Sequence, residues 1–340
     1  MRYRSMGRTG LQVSEICMGT MTWGAGADEE ESAKMFRACL EKGVNFFDTA
    51  NVYANTRSET ILGKQLKEHR QELIVATKVF NPAGKAPNDV GLSRKHIMDA
   101  CEASLKRLQT DYIDLYQSHG DDRWTPLEET LRAFDDLVSQ GKVRYVGASN
   151  YGAWRLNEAL WTSKTNGWAK YDCLQSLYNL VERGLDSEVL PLCRDKGVGV
   201  ICWSPLASGW LTGKYAADRS EGGRLANLPT PASSGCGDRE GTLKLVLETA
   251  KKLDRTPSQV ALRWLLDQEG ITSVIVGART AAQLQDNLGA VETSLDKDAW
   301  KALDRVSRMP VVYPTMIDRM MTARRRAVVD AAEKRTGSGK

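Results

Sequence analysis

The feature that most constrains this chain is a regular alternation of short apolar segments with longer amphipathic ones. The apolar segments are five to eight residues long and rich in Val, Ile and aromatic residues, whereas the stretches between them repeat apolar residues with a spacing near 3.6. Strands that alternate with helices predict a parallel sheet, and eight such strands predict closure into a (β/α)8 TIM barrel. The eight segments span residues 16–20, 44–50, 72–79, 112–119, 142–149, 171–178, 198–204 and 271–278.

Segments outside the eight repeats predict additions to the barrel. Residues 2–14, with a GRTG turn, are expected to form an N-terminal β-hairpin, and residues 205–240 a long loop after strand seven. We expect one barrel domain over 1–312 and a basic C-terminal helix with a flexible tail over 313–340. Thr56 and Glu59 predict a capping box at the start of the second helix. Helices are predicted over 29–41, 58–68, 93–107, 127–139, 257–268 and 296–307.

An open, doubly wound sheet is the alternative arrangement of alternating strands and helices. It would need a glycine-rich phosphate loop, and the nearest string is Gly24-Ala25-Gly26. Three acidic residues follow at 28–30 and would repel a pyrophosphate. The closed barrel is therefore favoured.

Charge and cysteine content exclude several classes of protein. The 47 Lys and Arg residues exceed the 43 Asp and Glu residues by four, and the segment 318–340 alone carries seven basic and three acidic residues. The rest of the chain is formally neutral, which predicts no nucleic-acid partner. No apolar run reaches the length of a membrane span, so no membrane partner is predicted. Seven cysteines without a CxxC pair and three histidines predict a cytoplasmic protein with reduced thiols and no metal site.

Four ionisable residues follow three consecutive predicted strands. Asp48 ends strand two and Tyr53 lies in its loop, Lys78 ends strand three, and His119 ends strand four. In such a barrel the functional side chains sit at these strand ends. A cation beside a phenol stabilises the phenolate, and a carboxylate keeps that cation charged and oriented. This pattern predicts a proton-transfer site in which Tyr53 is the general acid.

Seven motifs in fixed order carry a resemblance to a known family. The chain closely resembles the aldo-keto reductase superfamily over roughly residues 1–310, in the branch of bacterial aryl-alcohol-dehydrogenase-like reductases related to potassium-channel β subunits. The resemblance implies that Asp48, Tyr53, Lys78 and His119 are a catalytic tetrad in which His119 orients the carbonyl. The motifs are FDTANVYANTRSE, ATKV, LYQSH, VGASN, LQSLYN, WSPLASGWLTGKY and VIVGARTAAQLQDN.

The same resemblance implies a binding site for NADPH. Ser149, Asn150 and Gln175 would hold the nicotinamide carboxamide, and Trp203 would stack on the ring. The start of the last barrel helix is expected to offer unpaired N–H groups, and Arg279 to pair with the 2′-phosphate. The pyrophosphate residues would be Ser204, Leu206, Ser208 and Lys214, and the adenosine residues Gly277, Arg279, Gln283, Asp286 and Asn287. The substrate pocket is expected in loops where the resemblance weakens, with Trp23, Asn81, Trp124 and Tyr151 as walls beside Tyr53 and His119.

These observations predict an NADPH-dependent reductase that converts aldehydes or ketones to alcohols reversibly. Its expected partner is a small carbonyl or alcohol substrate. Two alternatives stay open. One is an NADPH-binding regulatory module related to potassium-channel β subunits. The other is an aldolase-type barrel, which would need Lys78 as an accessible Schiff-base lysine.

Overall fold

The computed structural model describes residues 1–214 and 237–337, with side chains as far as residue 333. Most of the long loop predicted after strand seven, including Cys236, lies outside the described residues.

Eight parallel strands form a closed barrel, as predicted. The last strand of the barrel pairs with the first, Val274 lying opposite Ile16, so the barrel itself has no open strand edge. Each strand lies within the apolar segment that predicted it. The strands are β3 (Ile16–Gly19), β4 (Phe46–Asp48), β5 (Ile74–Val79), β6 (Ile113–Ser118), β7 (Val143–Ser149), β8 (Tyr171–Leu177), β9 (Gly199–Trp203) and β10 (Ile271–Val276).

The predicted hairpin closes the amino-terminal end of the barrel. Strands β1 (Tyr3–Ser5) and β2 (Gln12–Ser14) pair antiparallel. Met6, in the turn between them, is fully buried and packs against residues of the barrel interior. The hairpin therefore covers the barrel interior at this end.

Among the described residues, ten helices follow the barrel strands or lie beside the barrel. The six helices predicted from the sequence start within one residue of the predicted position. Side chains at the residue before the helix cap several of the ten, for example Asp28 and Ser93. The helices are α1 (Glu29–Glu41), α2 (Arg57–Leu66), α3 (Arg94–Leu108), α4 (Leu127–Ser139), α5 (Ala153–Asn166), α6 (Val189–Lys196), α7 (Arg239–Leu253), α8 (Pro257–Leu266), α9 (Ala281–Leu288) and α10 (Lys297–Ser307).

The capping box predicted for α2 is wrong. Thr56 has a φ of 71° and its side chain makes no capping hydrogen bond. Glu59 is fully buried and accepts hydrogen bonds from Thr77 Oγ1 at 2.5 Å and Arg107 Nε at 2.6 Å. Glu59 therefore ties α2 to the barrel wall and to α3, because a buried carboxylate needs a cation or donor more than the exposed helix start does.

Alternation along the strands divides the core into two layers. Cys17, Phe46 and Ala76 belong to the cluster inside the barrel, whereas Ile16 and Phe47 belong to the cluster between the strands and the helices. This is the period of two expected for strands that are buried on both faces.

A last helix, α11 (Thr315–Gly337), follows the barrel domain. Every described side chain from 318 to 333 is exposed. Within the described part of the chain, no helix combines the length and the apolar character that crossing a membrane would require.

Candidate active site

A cavity of about 690 Å³ opens at the carboxyl ends of the barrel strands. Its walls come from the loops after β3, β4, β5, β6, β7, β9 and β10, with Gln175 near the end of β8 and Ser258 at the start of α8. This is the end of the barrel at which functional side chains are expected, and the size suits a cofactor or a small organic ligand.

Lys78 lies beneath this cavity and is fully buried. Its Nζ donates to Asp48 Oδ2 at 2.6 Å, to the Thr49 carbonyl at 2.7 Å and to Tyr53 Oη at 3.2 Å. Burial by itself lowers the pKa of Lys78, but Asp48 and Tyr53 outweigh burial, and the net pKa is raised. Lys78 is therefore a charged ammonium whose three N–H donors all have acceptors.

The carboxylate of Asp48 is held by more than the ammonium. Its Oδ1 accepts from Gln175 Nε2 at 2.8 Å and from Gln117 Nε2 at 3.2 Å. Gln117 was not among the predicted site residues, although the LYQSH motif contains it and strand pairing places it opposite Lys78. Two amides and one ammonium fix Asp48, so the position of Lys78 is fixed as well.

His119 follows the end of β6 and faces the same cavity. Its ring lies 5.7 Å from the Tyr53 ring, centroid to centroid, in an edge-to-face arrangement. Burial and then the Lys78 charge lower the pKa of His119 to about 3. The imidazole is therefore neutral near pH 7, and it can donate or accept a hydrogen bond without carrying charge.

The loops after β7 and β9 form the opposite wall. Asn150, in the loop after β7, donates to the His119 carbonyl at 3.1 Å and accepts from Trp203 Nε1 at 3.0 Å. It therefore links its own loop to His119 after β6 and to Trp203 at the end of β9. Asn150, Ser204 and Ser208 all have positive φ. Non-glycine residues in this conformation are uncommon and concentrate at functional sites, where packing enforces them.

The start of α9 differs from the expectation that it offers unpaired N–H groups. Ala281 N–H donates to Glu31 Oε1 at 2.6 Å, and Gln283 N–H donates to Thr280 Oγ1 at 3.2 Å. Glu31 comes from α1, the helix after the neighbouring strand. It can reach this helix start because β3 and β10 are adjacent.

Two of the predicted adenosine residues are held by other parts of the chain. Gln283 Oε1 accepts from Arg279 N–H at 3.0 Å, and Asp286 accepts from Thr256 Oγ1 at 3.2 Å and from Gln259 Nε2 at 3.1 Å. Thr256 and Gln259 form the capping box of α8. The capping residues of α8 therefore also fix the Asp286 side chain of α9.

Most of the predicted site residues line this one cavity. They are Asp48, Tyr53, Asn81, His119, Ser149, Asn150, Gln175, Trp203, Ser204, Leu206, Ser208, Lys214, Gly277, Arg279, Gln283, Asp286 and Asn287. Lys78 reaches the cavity only through Tyr53 and Asp48. Five further lining residues were not predicted, because none is ionisable and none was given a role by the family resemblance: Met21, Thr22, Val52, Thr212 and Ser258.

Three of the predicted substrate walls are not part of the cavity lining. Trp23 is fully buried in the core, and Tyr151 is 3 % exposed with its ring packed edge-to-face on Tyr171. Trp124 is 97 % exposed. Only Asn81 of that group faces the cavity. The physical reason is that motif position places a residue in a loop but does not fix the direction of its side chain.

The chemistry of the lining fits a dinucleotide with phosphate groups. Arg279 and Lys214 supply cations, and Ser204 and Ser208 supply hydroxyls. A Cβ at Gly277 would meet only the Gly19 carbonyl, at 3.8 Å, so the wall there is open to an approaching ligand. Within residues 1–214 and 237–333, no cluster of His, Cys, Asp and Glu could hold a metal ion.

Comparison with known proteins gives one family and several full-length relatives. The sequence model of the aldo/keto reductase family matches residues 15–308. An uncharacterized oxidoreductase, YrpG of Bacillus subtilis, is 40 % identical over 317 residues, which cover 90 % of this chain and 96 % of that protein. A rice protein (Oryza sativa subsp. japonica), recorded as a probable voltage-gated potassium channel subunit beta, is 37 % identical over 99 % of both chains. An Arabidopsis thaliana protein with the same description is 38 % identical over 86 % of this chain and 92 % of its own length.

Proposed function

The chain belongs to the aldo/keto reductase family, and from that premise we propose that it reduces aldehyde or ketone carbonyls to alcohols with NADPH, reversibly. One observation carries the proposal: a buried ammonium is bonded at once to a carboxylate and to a phenol that faces a large cavity. The nicotinamide supplies the hydride when it is bound. The side chains of this protein supply orientation and the proton.

Tyr53 is the proposed proton donor. Its oxygen accepts a hydrogen bond from the Lys78 ammonium, and such a contact stabilises the phenolate that remains after the proton leaves. Tyr53 also lines the cavity, so its oxygen is within reach of a bound carbonyl. The proton would pass from Tyr53 Oη to the oxygen on which negative charge develops, and the reverse transfer would serve alcohol oxidation.

His119 is the other group that could supply a proton, and its electrostatics argue against that role. With a pKa of about 3 the imidazole carries no extra proton near neutral pH. A neutral imidazole can still donate an N–H to a carbonyl oxygen. We therefore assign His119 to holding the carbonyl in place and Tyr53 to protonation.

The cofactor would lie along the wall formed by the loops after β7, β9 and β10. Gln175 uses its Nε2 on Asp48, which leaves its carbonyl oxygen to accept from a carboxamide. Ser204, Ser208 and Lys214 would hold the pyrophosphate. Because Glu31 takes the Ala281 N–H, a preference for a 2′-phosphate must come mainly from the Arg279 side chain.

These observations argue against one alternative function, the aldolase, and support the other, the regulatory module. The aldolase alternative needs an accessible amine, whereas Lys78 is fully buried with every N–H bonded. The regulatory alternative has support of its own, since two proteins described as potassium channel β subunits align over most of this chain. A cofactor-sensing module with weak turnover is therefore the second candidate function.

Steady-state turnover of a panel of aromatic aldehydes with NADPH separates the two candidates. An enzyme should oxidise NADPH with kcat of order 1 s⁻¹ or above on at least one aldehyde. Tight NADPH binding combined with no turnover on any aldehyde or ketone would favour the regulatory module.

A further inference from the structure

Asn81 and His119 meet at the mouth of the cavity. Asn81 lies two residues beyond the end of β5 and His119 directly after β6, and these strands pair in parallel. Asn81 Nδ2 lies 3.2 Å from His119 Nδ1. Both side chains line the cavity. Of the four predicted substrate-wall residues, only Asn81 faces the cavity, and this contact joins it to the imidazole of the proposed site.

The chemistry of the two groups fixes the direction of this hydrogen bond. An amide NH2 group only donates, and a neutral imidazole has one N–H donor and one bare nitrogen acceptor. If Nδ2 donates, then Nδ1 must be the bare nitrogen and the ring proton must be on Nε2. The opposite tautomer would place two N–H groups against each other.

We propose that Asn81 is a positioning residue that holds His119 in the tautomer with the proton on Nε2. This inference rests on the role proposed above for His119. An Nε2–H can donate to a substrate carbonyl oxygen, whereas a bare Nε2 would place its lone pair against the lone pairs of that oxygen. Asn81 therefore decides whether the imidazole attracts or repels the substrate, although Asn81 itself need not touch the reacting atoms.

The packing around the ring gives Asn81 this control. The Tyr53 ring lies edge-on against the imidazole, and the backbone of His119 is fixed by hydrogen bonds to Val79 and Asn150. The ring is therefore held in orientation by its neighbours. The position of the proton is then set by what faces Nδ1.

The test is ¹⁵N NMR of protein labelled at histidine. The chain has only three histidines, and a His119→Gln variant assigns the His119 signals by their absence. We expect a bare Nδ1 and a protonated Nε2 in the wild type at pH 7. Asn81→Asp replaces the donor by a carboxylate, which only accepts, so we expect a proton on Nδ1 in this variant.

Kinetics should follow the change of tautomer. We expect kcat of Asn81→Asp to fall about 10- to 100-fold, by analogy with the loss of the partner that orients a metal-ligating imidazole, with the NADPH dissociation constant changed less than about twofold. Asn88→Asp is the matched control, because it adds the same charge to an exposed position of the same loop and should leave both quantities and the His119 signals unchanged.

A wild-type Nδ1 that carries the proton would overturn the inference, and this result does not depend on any variant folding. The inference also fails if Asn81→Asp leaves the tautomer or kcat unchanged. The expected tautomer in a wild type that turns over no carbonyl would instead contradict the proposed function and leave the geometry of the tautomer standing.

Discussion

Lys78 connects the catalytic proposal to the stability of the barrel. Its ammonium neutralises Asp48, which is 2 % exposed, so removing either charge leaves the other buried and unpaired. Breaking such a pair costs about 3–5 kcal/mol, more than most single substitutions. The same contact therefore serves both the fold and the chemistry, and the two effects can be separated by experiment.

Lys78→Met should lower the free energy of unfolding by about 3–5 kcal/mol and shift the pH profile of any remaining activity to more alkaline values, because phenolate loses its stabilising cation. Asp48→Asn combined with Lys78→Met should cost less than the sum of the two single changes, since no unpaired charge remains. Urea unfolding and pH–rate profiles measure the two effects. Lys106→Met, at an exposed position of α3, is the control. An unchanged pH profile would indicate that Lys78 has only a structural role.

His119 predicts a pH dependence of stability whose sign follows from its lowered pKa. In the unfolded chain the imidazole binds a proton near its ordinary value of 6.5, but in the fold it does so only near 3. The unfolded state therefore gains protons first, and the fold loses stability as the pH falls from about 6.5 towards 3. Between pH 7 and pH 5 the loss through this residue should be about 2 kcal/mol.

Denaturation at pH 7 and pH 5 of the wild type and of His119→Asn measures this contribution. The wild type should lose about 2 kcal/mol more than the variant over this interval. Equal losses in the two proteins would mean that the imidazole is not held neutral.

The placement of Asp48, Tyr53, Lys78 and His119 could be predicted because each lies in the last two residues of an apolar strand or shortly after it in the sequence. Gln117 was missed because an uncharged amide within a strand looks like any other polar position in the pattern. The orientation of loop side chains could not be predicted either. Trp124 and Tyr151 lie in loops at the correct end of the barrel, but one faces solvent and the other packs into the core.

At the scale of single elements, the contact between α1 and α9 decides how a phosphate can be recognised. Glu31 of α1 occupies the first N–H of α9, so a carboxylate stands where a helix start could otherwise bind an anion. Arg279, two residues earlier, is exposed and faces the cavity. This contact could not be predicted, because it joins residues 250 positions apart through side-chain reach alone.

The proposed preference for NADPH over NADH therefore rests on Arg279. A charge-assisted contact to phosphate contributes ~1.5–3 kcal/mol, which corresponds to roughly a 10- to 150-fold difference in affinity. Arg279→Ala should lose most of this difference and leave the NADH dissociation constant nearly unchanged. Tryptophan fluorescence can report both constants, since Trp203 lines the cavity. Arg305→Ala, at an exposed position of α10, is the control. Equal losses for both cofactors, or a wild type that prefers NADH, would contradict the assignment.

At the scale of the whole molecule, the barrel and the last helix differ in how they are stabilised. The barrel has two apolar layers and a closed amino-terminal end, whereas the described side chains of α11 from 318 onward all face solvent. The alternation of apolar segments predicted the barrel because each strand needs a helix to cover its outer face. The sequence of residues 313–340 also predicted a helix, but it does not predict what that helix contacts.

A chain that ends at Val312 tests the proposed division at 312. Because the described side chains of the removed segment, 313–333, are almost all exposed, the thermal midpoint should change by no more than about 1–2 °C. The kcat/KM for an aldehyde should stay within about twofold of the full chain. A midpoint lowered by more than about 5 °C, in thermal unfolding followed by circular dichroism, would show that the segment 313–340 is part of the folded domain.

The proposed chemistry is tested most directly by Tyr53→Phe, assayed with NADPH and the best aldehyde substrate of the wild type. This change removes one oxygen and keeps the ring against His119. We therefore expect an NADPH dissociation constant within about twofold of the wild type and a loss of about 10²–10⁴-fold in kcat, the usual contribution of general acid catalysis. A variant that keeps more than about half the wild-type kcat, while isotope effects show that hydride transfer limits turnover, would contradict the account.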